Sequence, residues 1–322
     1  MAGGQERALR RRIRTIQSTK KITRAMELIA ASQIARAQAR LAAAAPYQQA
    51  MTFVAEQVAD ELGDQAGRFF GPVDEPRNLL VLAIVADRGL CGGYNANVLR
   101  ALERILKGAD QKGVDHRVFV CGRKGPPFLR FRGIHTERAF SGMSDRPGFA
   151  DASAVAHAVS APFFSEEVDQ LLVVSTRYLS AGTQVVEARQ LLPLPIGLGE
   201  KREDAQRKDG VGKSSSSSQQ TASQGEQTSF GGYTEFEPDA KEIVSDVAAR
   251  YVEAAVFQAM LEAAASEHTA RQRAMAAATE NADELTKTLT RVMNRARQDS
   301  ITTEIMEIVG GAEALRKAPE EE

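Results

Sequence analysis

The last long stretch of the chain, residues 239–309, contains neither glycine nor proline. These two residues oppose helix formation more strongly than any others. At about 1.5 Å per residue, an unbroken helix over this stretch would be roughly 107 Å long, whereas helices in globular proteins average about 11–12 residues. We therefore predict a helix too long for an ordinary domain, with Asp239 as its N-cap, paired with Glu242, and Gly310-Gly311 as its C-terminal stop.

Apolar residues within this stretch recur with the spacing of a coiled coil. The predicted seam comprises Phe257, Leu261, Ala264, Met275, Ala278, Ala282, Leu285, Leu289, Val292 and Ala296. His268 and Arg271 interrupt the seam, which indicates either a local break in pairing or a surface that faces another partner.

A second helix that could complete the coiled coil lies at the N-terminus. Residues 6–45 also lack glycine and proline, and an apolar stripe begins at Leu9, Ile13 and Ile16 and continues less regularly through Ile22, Met26 and Ile29. We expect Pro46 to kink this helix, which then continues to Gly63. Residues 1–40 carry ten basic and two acidic side chains, whereas residues 239–322 carry ten basic and sixteen acidic ones. This asymmetry favours an antiparallel coiled coil of the two chain ends.

The middle of the chain has the pattern of an α/β domain. Buried strands are predicted at residues 78–86, 117–121 and 170–176, with a further one at 185–194, and helices at 95–107, stopped by Gly108, and at 153–161. The predicted fold class is therefore α+α/β: a long antiparallel coiled coil of the N- and C-terminal helices plus a small Rossmann-like parallel-sheet α/β domain. We expect four parts: residues 1–62, 76–198, 199–238 and 239–316. The third is Ser-rich and predicted to be a disordered linker.

Composition argues against several classes of function. The net charge is −1, so no global field favours nucleic acid, and residues 1–46 contain no aromatic side chain on which bases could stack. The run Arg10–Arg12 is compatible with a solvated helix face, a nucleic-acid patch or a contact with acidic protein loops. Two cysteines, four scattered histidines and no apolar run long enough to cross a bilayer argue against a disulfide framework, a metal site and a transmembrane segment.

The turn Asp87-Arg-Gly-Leu-Cys-Gly-Gly-Tyr-Asn95 is the stretch most suggestive of chemistry. A glycine-rich turn between a strand and a helix can hold phosphate, but these glycines match neither G-x-G-x-x-G nor G-K-[ST]. Cys91 lies near a helix start, where a thiol pKa can be lowered. We interpret the turn as a tight connection that also offers a contact surface. The alternative is a coiled-coil protein with a nucleotide-binding α/β domain.

Three blocks of the sequence resemble the gamma subunit family of F-type ATP synthases, bacterial type. They are Ile22-Thr-Arg-Ala-Met-Glu-Leu-Ile-Ala-Ala-Ser32, the turn Asp87–Asn95, and Ala296-Arg-Gln-Asp-Ser-Ile-Thr-Thr-Glu-Ile-Met-Glu-Ile-Val-Gly-Gly-Ala312. The resemblance extends along nearly the whole chain and keeps the blocks in the family's order. The Ser-rich stretch at 199–238 departs from the family's minimal pattern and, unlike the insertion of plastid relatives, contains no cysteine, so we expect no thiol switch there.

The resemblance implies a central-stalk rotor that performs no bond chemistry and holds no cofactor. Its implied partners are the alpha and beta subunits of the catalytic hexamer, the epsilon subunit and the ring of c subunits, on the cytoplasmic side of a bacterial membrane. The subunit-contact residues that it implies are Lys20, Lys21, Arg24, Met26, Arg88, Cys91, Arg271, Gln298, Thr302 and Glu304.

Overall fold

The computed structural model describes residues 2–62, 67–71, 76–194 and 240–317. Five α-helices and five strands lie within these ranges. The helices are α1 (Ala2–Leu62), α2 (Tyr94–Gln111), α3 (Gly125–Phe131), α4 (Phe149–Phe164) and α5 (Ala240–Lys317). The strands are β1 (Asn78–Ile84), β2 (Asp115–Cys121), β3 (Arg138–Phe140), β4 (Gln170–Tyr178) and β5 (Gln184–Leu192). Asp239 and the predicted linker at 199–238 lie outside the described residues.

The strands form one sheet in the order β3-β2-β1-β4-β5. β1, β2, β3 and β4 are parallel, and β5 pairs antiparallel with β4. The predicted parallel-sheet domain is thus confirmed, with one antiparallel edge strand. Its direction follows from the connection between β4 and β5, because residues 179–183 are too few for the crossover that a parallel neighbour requires.

Alternating residues of the central strands fill a separate core on each face of the sheet. On one face, Leu80, Leu82, Phe119, Leu171 and Val173 pack with buried residues of α4 and of the N-terminal half of α5. On the other face, Leu79, Val81, Ala83, Val118 and Val120 pack with α2 and with Leu129 of α3. The continuous apolar runs in the sequence therefore mark strands that are covered on both sides.

Helices α1 and α5 are each continuous, and the predicted antiparallel coiled coil is confirmed. Within the compact unit formed by residues 1–35, 90–92 and 268–322, Thr23 lies opposite Thr279, with 2.8 Å between their hydroxyl oxygens, and Lys20 forms an ion pair with Asp283. Residue numbers rise along one helix as they fall along the other, which is the antiparallel arrangement.

The predicted seam of α5 is wrong at two positions. Leu285 and Val292 are 42% and 45% exposed, whereas Met275, Thr279, Ala282 and Leu289 are buried. Hydrogen bonding explains why threonine can occupy the seam. The hydroxyl of Thr279 donates to the carbonyl of Met275 over 2.8 Å, so no polar group is left unsatisfied when it is buried.

Glycine did not end the helices where the sequence predicted. α5 continues through Gly310 and Gly311, and α2 continues through Gly108 to Gln111. A glycine inside a helix costs only about 1 kcal/mol relative to alanine, and burial of Leu106 and Ala109 offsets that cost in α2. Helix α3 and the short strand β3 were not predicted. The Pro126-Pro127 pair at the start of α3 is more typical of a turn than of a helix, and the three residues of β3 are too few to show the alternation of a strand.

We predict that Ala30→Leu destabilises the chain, because Ala30 is 1% exposed and a larger side chain overpacks the site. The free energy of unfolding in a denaturant titration should fall by about 1–3 kcal/mol. Ala31→Leu adds the same atoms at the neighbouring exposed position and should change it by less than about 0.5 kcal/mol. Equal losses of unfolding free energy in the two variants would contradict tight packing around Ala30.

Candidate functional site

The four predicted contact residues on α1 lie near one another, but they are not equally available. Lys21 and Arg24 are exposed, whereas Lys20 and Met26 are half-buried. The Lys20 ammonium is engaged by Asp283 within the same unit. Arg24 donates from Nη1 to Glu27 Oε1 over 2.8 Å, and its side chain is still 59% exposed. Lys21 and Arg24 therefore offer positive charge at the surface, and Lys20 contributes to pairing of the helices.

Large apolar residues of α1 point outward where the sequence suggested a seam. Ile22, Leu28 and Ile29 are about as exposed as Arg24, at 61%, 58% and 61%, whereas Ala30 and Ala37 are buried. Small residues in the seam let the helices approach closely and leave the isoleucines on the outside. Exposed apolar patches beside charged groups are typical of protein-binding surfaces, and sequence reasoning missed this one by placing Ile22 and Ile29 in the apolar stripe.

The C-terminal part of α5 is exposed all round. Gln298, Thr302 and Glu304 all lie at the surface there, and every residue from 301 to 313 is exposed. Large apolar side chains share this exposure, namely Ile301, Ile305, Met306, Ile308 and Val309. An isolated helix gains little stability in water from propensity alone. This segment therefore presents apolar side chains to solvent without a packing partner in the part of the chain that the structure describes.

Arg271 does not lie on a contact surface, and that prediction is corrected. It is 7% exposed, and His268 is 4% exposed. The Arg271 Nη1 atom lies 3.4 Å from His268 Nδ1. The two residues that interrupt the apolar seam are thus enclosed within the chain and approach each other there.

Asp87, the first residue of the glycine-rich turn, ties three loops together at the carboxyl ends of the parallel strands. Its Oδ1 accepts from the backbone N–H of Arg123 at 2.9 Å. Its Oδ2 accepts from the N–H groups of Gly142 at 2.8 Å and Ser144 at 3.1 Å. The N–H of Asp87 donates to the Ser144 hydroxyl over 2.9 Å.

These hydrogen bonds stabilise the ionised form of Asp87. Partial burial raises the pKa of the carboxyl, but the bonds from Ser144, Arg123 and Gly142 outweigh burial and hold the pKa below its usual value. Sequence reasoning missed this role because the residues that donate to Asp87 are 36 to 57 positions away in the chain.

Of the two predicted contact residues in the turn, only Arg88 lies at the surface. Its side chain is 77% exposed, with Nε 3.3 Å from Asp145 Oδ2. Cys91 is 2% exposed, which corrects the prediction that it forms part of a contact surface. Leu90 is the exposed neighbour, at 60%, and it adopts a positive φ of 63°, an uncommon conformation for a side chain of this size.

The other cysteine is equally withdrawn from solvent. Cys121 is 1% exposed, and burial, followed by the charges of Asp87 and Asp151, raises the pKa of its thiol to about 12. A thiol in this state is a poor nucleophile. Within the described ranges, no group of three or more His, Cys, Asp or Glu side chains is placed to hold a metal ion.

We predict that Asp87→Asn lowers the free energy of unfolding at neutral pH by about 1–2 kcal/mol, because the carboxylate loses charge-assisted bonds in a partly solvated site. A carboxyl whose pKa is lowered by folding stabilises the fold above its unfolded pKa of about 3.9, and this stabilisation is lost as pH falls through the folded pKa. The difference between wild type and variant should therefore shrink below about pH 4 in denaturant titrations. Asp115→Asn, at an exposed position, is the control, and a pH-independent difference for Asp87→Asn would contradict the assignment.

We also predict that neither cysteine reacts with iodoacetamide in the folded chain, because Cys91 and Cys121 are 2% and 1% exposed. Both should react once denaturant unfolds the chain. Phe131→Cys introduces a thiol at a position that is 85% exposed and should be labelled rapidly under native conditions, as measured by mass spectrometry. Rapid native labelling of Cys91 would show that the turn opens.

No helix in the described part of the chain is long and apolar enough to pass through a membrane. The ATP synthase family profile matches residues 5–315. The ATP synthase gamma chain of Frankia casuarinae is 43% identical over 327 residues, covering 97% of this chain and 98% of the relative. The gamma chain of Thermobifida fusca is 38% identical over 320 residues and covers 98% of both chains.

Solved structures share the fold at lower identity. A chain of the Euglena gracilis mitochondrial ATP synthase, in a structure of OSCP, F1 and the c-ring, aligns over 99% of both chains with a TM-score of 0.64 and 19% identity. A chain of the Tetrahymena thermophila mitochondrial ATP synthase central stalk and c-ring aligns over 80% of this chain and 99% of its own, with a TM-score of 0.57 and 22% identity. The profile match over residues 5–315 and the relatives that are 43% and 38% identical over nearly the full length place the chain in the ATP synthase gamma chain family.

Proposed function

We propose that this chain is the central-stalk rotor of a bacterial F-type ATP synthase, which transmits proton-driven rotation of a membrane ring to the nucleotide sites of a surrounding hexamer. The observation that carries the proposal is helix α5. Its N-terminal half belongs to the sheet core, its middle pairs with α1, and its C-terminal part is exposed. A single element of this kind can be held at one end and surrounded by partners at the other.

The partners follow from the exposed chemistry of each surface. The alpha and beta subunits would surround the C-terminal part of α5, where Gln298, Thr302 and Glu304 lie among apolar side chains. Lys21, Arg24 and Arg88 would face acidic segments of the beta subunits. The α/β domain, residues 76–198, would form the base with the epsilon subunit and the c ring, on the cytoplasmic side of the membrane.

The chain would act mechanically and without bond chemistry of its own. The four-part division into residues 1–62, 76–198, 199–238 and 239–316 gives each part a mechanical role: two shaft helices, a base and a connecting linker. A coiled coil resists bending because each helix packs along the other. The shaft can therefore pass torque between its ends only while both helices remain continuous.

Breaking α5 tests this mechanism. Ala282 is 9% exposed in the paired region, and Ala282→Pro should cost about 3 kcal/mol or more, because proline removes a helical hydrogen bond and clashes with the preceding turn. In reconstituted synthase, proton-driven ATP synthesis should be lost. Ala282→Gly, which costs only about 1 kcal/mol, should retain it. Assembly of both variants is measured by gel filtration, and normal synthesis by an assembled Ala282→Pro complex would refute the stiff-shaft account.

A further inference from the structure

Three arginine side chains from two segments form a cluster of positive charge that the proposed function does not use. Arg36 and Arg40 lie on α1, and Arg146 lies in the loop between β3 and α4. All three belong to the compact unit formed by residues 36–89 and 93–267. Arg36 and Arg146 are exposed and Arg40 is half-buried. We call Arg36, Arg40 and Arg146 the arginine cluster.

The backbone brings the two segments that bear these side chains close together. Residues four positions apart on a helix lie on the same face, with Cβ atoms about 5–6 Å apart, which aligns Arg36 with Arg40. The loop that bears Arg146 is fixed at one side by Asp87, which accepts from the N–H groups of Gly142 and Ser144. At its other side, Phe149 packs against Tyr47 of α1, with ring centroids 6.4 Å apart. The loop therefore runs beside α1.

No carboxylate neutralises the cluster in the part of the chain that the structure describes. Between Glu27 and Glu56, α1 has no acidic residue at all, so Arg36 and Arg40 lack the usual partners one turn away. Nearby acids are engaged elsewhere. Asp145 pairs with Arg88 at 3.3 Å, and Asp151 accepts from the N–H of Gly148 at 3.0 Å at the start of α4.

The electrostatic consequence appears at Arg40. Burial, then the charge of Arg146, then the charge of Arg36 lower the pKa of its guanidinium. A guanidinium does not lose its proton in proteins, so repulsion among the three groups persists in the free chain. A bound anion would relieve this repulsion.

We propose that the arginine cluster binds a compact anion of the polyphosphate type, with two or more negative charges within a few Å. Guanidinium groups bind phosphate oxygens through two parallel hydrogen bonds, and three of them from two segments can surround one such anion. A single carboxylate of a protein partner would bring only one negative charge to the three positive charges of the cluster. The shared chemistry is a diphosphate group, which is present both in inorganic pyrophosphate and in nucleoside diphosphates.

The test is isothermal titration of the isolated full-length chain with inorganic pyrophosphate at fixed ionic strength. Wild type should show one saturable site. Arg146→Gln should weaken binding by about ten- to a hundredfold, because it removes charge-assisted hydrogen bonds to the anion. Arg146→Lys keeps the charge but loses the bidentate geometry, so its affinity should lie between those of wild type and Arg146→Gln. Arg11→Gln removes the same charge from the basic N-terminal stretch and should leave the affinity unchanged.

Further titrations separate the alternatives. Titration with ADP should give a site that is equally sensitive to Arg146→Gln, which would show that the diphosphate and not the base is bound. The absence of saturable binding, equal losses in Arg11→Gln and Arg146→Gln, binding of ADP without binding of pyrophosphate, or preference for an oligoglutamate peptide would each overturn the proposal. Since the measurement uses the isolated chain, its outcome is independent of the rotor function.

Discussion

The packing of helix α5 is the constraint on which the rest of the molecule depends. Helical propensity supplies only a small part of the stability of a helix of 78 residues, so most of it must come from the side-chain contacts of its N-terminal half and its middle. The N-terminal half supplies buried residues such as Tyr251, Val252 and Val256 to the core beneath the sheet. The middle contributes Met275, Ala282 and Leu289 to pairing with α1. Along this one continuous helix, the side chains that are buried against the sheet differ from those that are buried against α1.

The seam between α1 and α5 combines small residues with hydrogen-bonded polar ones. Alanine contributes little apolar area, so this seam gains less from burial than one of leucine and isoleucine would. Large side chains such as Ile22, Leu285 and Val292 lie outside the seam and remain exposed. The Thr23–Thr279 contact forms in only one register of the two helices and so favours that register. A shaft built in this way has a defined register and an apolar outer surface.

The sequence predicts the elements of this fold well because their signals are local. The breaker-free stretches predicted α1 and α5, and the apolar run at 78–86 predicted β1. The site could be predicted only in part, since its geometry depends on contacts between distant residues. Asp87 receives hydrogen bonds from loops after two other strands, and the burial of Cys91 and Arg271 depends on tertiary packing. The exposure of Leu285 could not be predicted either, because alanine and leucine, and threonine when its hydroxyl is hydrogen-bonded, all suit a coiled-coil layer.

Rotation of the chain inside an assembled complex tests the account most directly. The chain carrying Phe131→Cys, labelled with a bead at that exposed position, would be reconstituted with alpha and beta subunits fixed to a surface and supplied with ATP. The account predicts stepwise rotation of the bead in one direction, together with ATP hydrolysis that depends on this chain. A complex that assembles and hydrolyses ATP while the bead stays fixed would contradict it.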